Sequence, residues 1–132
     1  MLFTDLEESL ILVYFDLIIH TDSDVDVGTV YGDIEKQLSH FVDLPGCLTC
    51  HFEHLIDGYN AGYYGYLWSK VYAVEIFDKF LKSGDLFNKK LGTKYRKTIL
   101  EKGGLEDGFT MLEDFLGHKP SMDLFMQELE KN

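Results

Sequence analysis

The chain reads as an all-α domain of five or six helices, and three observations carry that reading. Apolar side chains recur at three- and four-residue steps, the period of a helix with one face turned to a core. Capping residues and glycines punctuate those runs at helix-length intervals. With 132 residues, 45% of them hydrophobic and 14% aromatic, the chain has enough apolar surface to bury a core, so residues 1–132 are expected to form a single helical domain.

The elements follow in order. Residues 5–19 predict a helix capped by Thr4 or Asp5, with Glu7 and Glu8 in its first turn, where carboxylates complement the helix dipole. Leu10, Val13, Tyr14 and Leu17 mark its expected buried stripe, and Ile11, Leu12, Phe15 and Ile18 widen that stripe almost all the way round. So much apolar surface predicts partners on several sides and, in an isolated chain, self-association. Asp22, Asp24 and Asp26 alternate like the opening of a calcium loop, but Val27 fills the tight-turn position, Gly28 comes one place late and Asp33 stands where a bidentate Glu is needed. An acidic turn capping the next helix fits better. That helix is expected from about Thr29 to Val42, with Val30, Ile34, Leu38 and Phe41 inward, and Pro45-Gly46 ends it. A longer helix is expected from about Ala61 to Lys82, with Leu67, Trp68, Val71, Val74, Phe77 and Leu81 in the core and Gly84 as a left-handed cap. Asn88 caps a helix running to Lys102 and carrying Leu91, Tyr95, Ile99 and Leu100, closed by Gly103-Gly104. Short helices at 108–116 and, after Pro120, at 121–130 complete the chain.

Charge narrows the partners. Twelve Lys and Arg face 23 Asp and Glu, a formal net charge of -11, which argues against nucleic acid and anionic membrane as partners. Lys89, Lys90, Lys94, Arg96 and Lys97 form the one basic patch, read as a solvated helix face. Met1–His20 has no basic flank and does not resemble a signal peptide, and no apolar run reaches the ~18 residues of a membrane span, so a cytoplasmic protein with reduced thiols is expected.

Cys47-Leu48-Thr49-Cys50-His51 is formally a haem-attachment pattern, and together with His54 it also offers four zinc ligands. Haem attachment requires export, for which there is no signal. Zinc on Cys47, Cys50, His51 and His54 is the alternative, but structural zinc sites usually draw ligand pairs from separated elements, so a plain loop with two free thiols, and no cofactor in this chain, is the preferred reading.

The stretch His54 to Trp68 (H-L-I-D-G-Y-N-A-G-Y-Y-G-Y-L-W) is the chemical focus. Four of the eight tyrosines and the only tryptophan lie within it, among glycines that let the backbone bend or approach a ligand. Tyr59 and Tyr66 are seven residues apart, about two helical turns, so their phenols can meet one substrate. A phenol is neutral near pH 7 and donates a hydrogen bond to a peptide carbonyl, or to an oxyanion forming from it. On residue pattern alone, core packing is the competing explanation for such a tyrosine-rich helix.

These residues resemble a segment near the C-terminus of the thimet oligopeptidase, neurolysin and oligopeptidase A family of zinc metallopeptidases, whose pattern runs roughly H-L-x-G-G-Y-D-A-G-Y-Y-G-Y-L-W-S. The likeness continues through Lys94-Tyr95-Arg96, Ile99-Leu100, Gly103-Gly104, Asp107-Gly108, Met111-Leu112, Phe115-Leu116, Pro120 and Phe125, and is strongest over 52–128. The resemblance implies that His54 and Tyr59 bind substrate, that Tyr66 stabilises the tetrahedral oxyanion, that Gly58 and Gly62 belong to a mobile substrate loop, and that Tyr63 makes a weaker substrate contact. Tyr64, Trp68 and Tyr72 are left as packing residues. Asp57 stands where the family has the first of two glycines, which predicts a stiffer loop.

Catalysis in the family requires an H-E-x-x-H helix, in which two histidines one turn apart hold zinc and the glutamate activates water. None of the five histidines here is followed by Glu. The resemblance therefore implies the C-terminal catalytic-lobe portion of a zinc oligopeptidase, truncated and inactive alone, with short peptides and the missing metal-bearing part as partners; zinc belongs to the complete family enzyme. A non-catalytic peptide-binding module is the alternative function.

Overall fold

The computed structural model describes residues 2–39 and 52–131, and every regular element among them is helical. Six α-helices form: α1 (Leu2–Thr21), α2 (Val27–Leu38), α3 (Tyr64–Lys82), α4 (Lys89–Tyr95), α5 (Gly108–Leu116) and α6 (Asp123–Glu130). The chain divides into two compact units, one running to Trp68 and the other from Ser69 to Lys131. No helix among the described residues is long and apolar enough to cross a membrane.

In the first unit α1 and α2 pack around Ile11, Phe15, Ile34 and Phe52, with Leu12, Ile18, Ile19, Val30, Tyr31 and Leu38 against them. Phe15 has no exposed surface, and its ring meets Tyr31 edge-on at 5.5 Å. Of the expected stripe on α1, Val13 is buried, but Tyr14 and Leu17 face outward, 51% and 36% exposed, while Ile11 and Phe15, expected only to widen the stripe, lie inside. An all-round apolar helix carries little phase information, and the partners α2 and Phe52 decide which side is buried. Asp26 caps α2 by accepting the Gly28 N–H at 2.9 Å, and Asp22 accepts the Asp24 N–H at 3.1 Å, so two carboxylates of the acidic turn are engaged by their own backbone. α2 stops at Leu38, short of the expected Val42, and Phe41 lies outside the described residues.

The second unit gathers on α5. Its Met111, Leu112, Phe115 and Leu116 are buried, along with Val71 and Tyr72 of α3 and Phe125 of α6. Asp107 caps α5 by accepting the Thr110 N–H at 3.0 Å, and Gly117 closes it at φ 83, a left-handed angle that suits glycine. The Phe115 ring is met by Tyr95 at 5.5 Å and Phe80 at 6.2 Å. Lys79 and Lys94 both lean over that ring and donate to the Leu116 and Phe115 carbonyls at 2.6 and 2.9 Å, satisfying orphan acceptors at the helix C-terminus. Lys94 of the basic patch is therefore structural rather than merely solvated. Asn88 caps α4 as expected, accepting the Leu91 N–H at 3.0 Å, and the helix widens into a π-turn over Arg96–Leu100. Gly84, at φ 73, ends α3. Phe77 and Leu81, expected inside, are 55% and 52% exposed. Buried Glu75 accepts the Ser121 N–H at 3.2 Å in the approach to α6.

Candidate functional site

The tyrosine-rich segment is a hydrogen-bonded loop feeding α3. After a 3-10 turn at Glu53–Leu55, Gly58 takes φ 79, and the Tyr59 N–H returns to the His54 carbonyl at 3.2 Å, which brings His54 beside Tyr59. The Gly62 N–H donates to the Tyr59 carbonyl at 2.8 Å, and a β-carbon at Gly62 would lie 3.1 Å from that oxygen, so glycine alone makes the approach without a shift of Tyr59. Asp57 takes a negative φ, a conformation any residue adopts, so its side chain is accommodated without backbone strain. α3 begins at Tyr64 instead of Ala61 because Ala61 adopts φ 57, outside the helical region.

Four side chains converge. The His54 imidazole meets the rings of Tyr63, Tyr66 and Tyr59 nearly edge-on, with centroids at 5.0, 5.5 and 6.0 Å. Tyr59 and Tyr66 stack at 5.4 Å, and Tyr63 lies 5.1 Å from Tyr66. Phe52 supports His54 from the core side at 5.5 Å and Tyr63 at 5.0 Å. Tyr59 and Tyr66 are each 47% exposed, so the cluster presents phenols to solvent on an anchored apolar base. Such a surface suits a ligand with carbonyl acceptors and apolar side chains.

The model of Peptidase family M3 matches residues 4–131. The chain belongs to peptidase family M3. It is 37% identical over 123 residues to saccharolysin of Saccharomyces cerevisiae, an alignment covering 87% of this chain and 17% of that protein. Thimet-like oligopeptidase of Dictyostelium discoideum is 34% identical over 126 residues, covering 89% of this chain and 18% of the relative. Oligopeptidase A of Escherichia coli is 36% identical over 77 residues, 58% of this chain and 11% of that protein. The chain thus spans less than a fifth of the length of these M3 relatives.

Within this M3 segment two phenols of the aromatic cluster hold their protons more tightly than an ordinary tyrosine. Tyr66 is held above the usual tyrosine range by desolvation, then by the neighbouring Tyr59 phenol and a hydrogen bond with it. Tyr63 is raised by burial, with smaller contributions from Glu8 and Tyr66. Both phenols therefore remain neutral donors throughout the physiological range. Among the described residues no three His, Cys, Asp or Glu side chains are placed to hold an ion, and the His54 imidazole packs against the rings of Tyr59, Tyr63 and Tyr66. Cys47, Cys50 and His51 lie outside the described residues.

One residue of the site was not visible in the sequence pattern. Asp16, on α1, is wholly buried, and its two oxygens accept the Ala61 N–H at 2.9 Å and the Tyr63 N–H at 3.0 Å. The His20 Nδ1 lies 2.7 Å from the Asp16 carbonyl oxygen and 3.2 Å from its Oδ1; with acceptors on both sides, that nitrogen carries the proton and donates. The bond to the Ala61 N–H holds that alanine left-handed, a conformation that costs an L-residue ~1–2 kcal/mol. The available signal was a lone Asp inside an apolar helix with a His one turn on, a pattern that places a carboxylate in the core and demands partners for it.

Proposed function

We propose that this chain provides the peptide-binding face of an M3 oligopeptidase. His54 and Tyr59 orient a short peptide, Gly58 and Gly62 shape the loop that receives it, Tyr63 backs the bound chain, and Tyr66 donates its hydroxyl hydrogen bond to the oxyanion that forms when a peptide carbonyl is attacked. The observation that carries this reading is the ring of Tyr59, Tyr63 and Tyr66 around His54, with the first and last phenols half-exposed. A neutral phenol gains more from a developing oxyanion than from a ground-state carbonyl, and such differential binding is what accelerates a reaction.

Water activation is assigned to no residue of this chain, since none of the described residues forms a zinc-binding constellation and the sequence holds no H-E-x-x-H. The metal-bearing part of the peptidase is accordingly the protein partner, and the 132-residue chain by itself is expected to bind peptides without hydrolysing them.

Two assays of the purified chain test this. A quenched fluorescent oligopeptide should show no turnover, with added zinc or with chelator; chelator-sensitive turnover that is lost on changing His54 or Cys50 would overturn the division of labour. A phosphinic peptide, whose phosphinyl oxygens stand in for the tetrahedral oxyanion, should bind about tenfold more weakly to Tyr66→Phe, while the corresponding ordinary peptide is little affected. Equal loss for both ligands, or loss with Trp68→Ala alone, would instead mark a non-catalytic interaction module.

A further inference from the structure

We infer that Asp16 is the positioning residue of the tyrosine loop: one buried carboxylate, reached from 45 and 47 residues away, holds the Ala61 and Tyr63 N–H groups and so sets where the phenols stand around His54. The consequence for peptide binding rests on reading that cluster as the peptide face; the clamp itself does not.

The geometry gives the carboxylate control of both flanks of the cluster. On one flank, Ala61 is held at φ 57 in the turn where the Tyr59 carbonyl accepts the Gly62 N–H, so releasing Ala61 releases the Tyr59 side. On the other, Tyr63 supplies the carbonyl that accepts the Tyr66 N–H at 3.1 Å as α3 begins, so the phase of Tyr66 follows from that of Tyr63. His20 holds the carboxylate in turn, donating from Nδ1 at 3.2 Å. Phe15, the neighbour of Asp16 in sequence, is fixed among Ile11, Ile34 and Phe52, which gives the clamp a rigid base.

The test uses the full chain. Asp16→Asn keeps one acceptor oxygen but turns an NH2 toward the second N–H, so only half of the clamp survives. Hydrogen exchange at Ala61 or Tyr63 should accelerate by about tenfold or more, with Phe15 and Ile34 amides changing by less than about twofold. Nuclear Overhauser contacts between the His54 and Tyr66 rings should weaken, and the affinity for a labelled five-residue peptide should fall about tenfold. Unchanged exchange and ring contacts, or acceleration spread evenly over α1 and α2, would overturn the inference. If the variant does not fold, through-hydrogen-bond couplings from the Asp16 Cγ to the Ala61 and Tyr63 amide nitrogens in the wild-type chain decide the matter, and their absence refutes the clamp. Should the wild type bind no peptide while the loop responses appear as stated, the peptide-face reading falls and the clamp stands.

Discussion

Substituting alanine for three glycines separates backbone strain from crowding at the loop. At Gly58 (φ 79) an added β-carbon has nothing within 4 Å, so the whole penalty of Gly58→Ala is conformational. Holding an L-residue left-handed costs ~1–2 kcal/mol, and the stiffer unfolded chain returns ~0.4–1, leaving about 1 kcal/mol of destabilisation. For a domain of this size that lowers Tm by about 4 °C. Gly32, inside α2, also has nothing within 4 Å of an added β-carbon but takes no left-handed angle, so Gly32→Ala should stabilise by ~0.5–1 kcal/mol. Gly62→Ala is the crowding case: the new carbon would sit 3.1 Å from the Tyr59 carbonyl oxygen, so Tyr59 must move by a few tenths of an ångström and its 5.4 Å stack on Tyr66 must shift. Urea unfolding followed by circular dichroism measures the first two, and ring-proton shifts of Tyr59 and Tyr66 the third. If Gly58→Ala stabilises as much as Gly32→Ala, the left-handed turn and the loop built on it are wrong.

Other outcomes follow from the same contacts. Phe115→Ala should cost roughly 3–5 kcal/mol by calorimetry, because a fully buried ring is removed from beneath Tyr95, Phe80 and two lysines. Lys79→Met should lose about 1–2 kcal/mol in urea unfolding, since the 2.6 Å bond to the Leu116 carbonyl disappears while the stem's packing is kept. Alkaline titration at 295 nm should show Tyr31, Tyr63 and Tyr66 ionising later than ordinary tyrosines, each held up first by desolvation. As their folded-state affinity for the proton exceeds that of the unfolded chain, their contribution to stability is complete below about pH 10 and is lost as pH rises through the raised values. Stability that increases with pH in this range would contradict the assignment.

Legibility in the sequence depended on how far away each residue's partner lay. Asn88 caps through a bond to the third residue onward, so it was readable as a local pattern, as were Gly84 at the end of α3 and the helical class itself, whereas the equivalent cap by Asp107 emerged only with the structure. The phase of α1 was not, because its apolar residues surround the helix and only packing against Ile34 and Phe52 puts Phe15 inside and Tyr14 outside. The start of α3 was misplaced for a related reason: the turn at Ala61 is held by a carboxylate from another helix, which no local pattern encodes. In the site, the residue types and spacing of His54, Tyr59 and Tyr66 were legible, but not the edge-on packing of imidazole against phenols, and Asp16 was absent from the reading altogether. Phe77 and Leu81 share the helical period of core residues and yet lie exposed, since period alone does not say whether a neighbour covers a face.

The most direct measurement is a nuclear magnetic resonance titration of the chain with a short unlabelled peptide, following the ring signals of His54, Tyr59 and Tyr66 together with the backbone amides. The account predicts saturable shifts concentrated on those three rings and on Gly58 and Gly62, with affinity weakened about tenfold in His54→Ala. Shifts confined instead to the lysine-lined cleft of about 480 Å³ at Lys79, Lys82, Lys90 and Lys94, or no saturable shift at His54, Tyr59 and Tyr66, would contradict the claim that the aromatic cluster is the peptide-binding face.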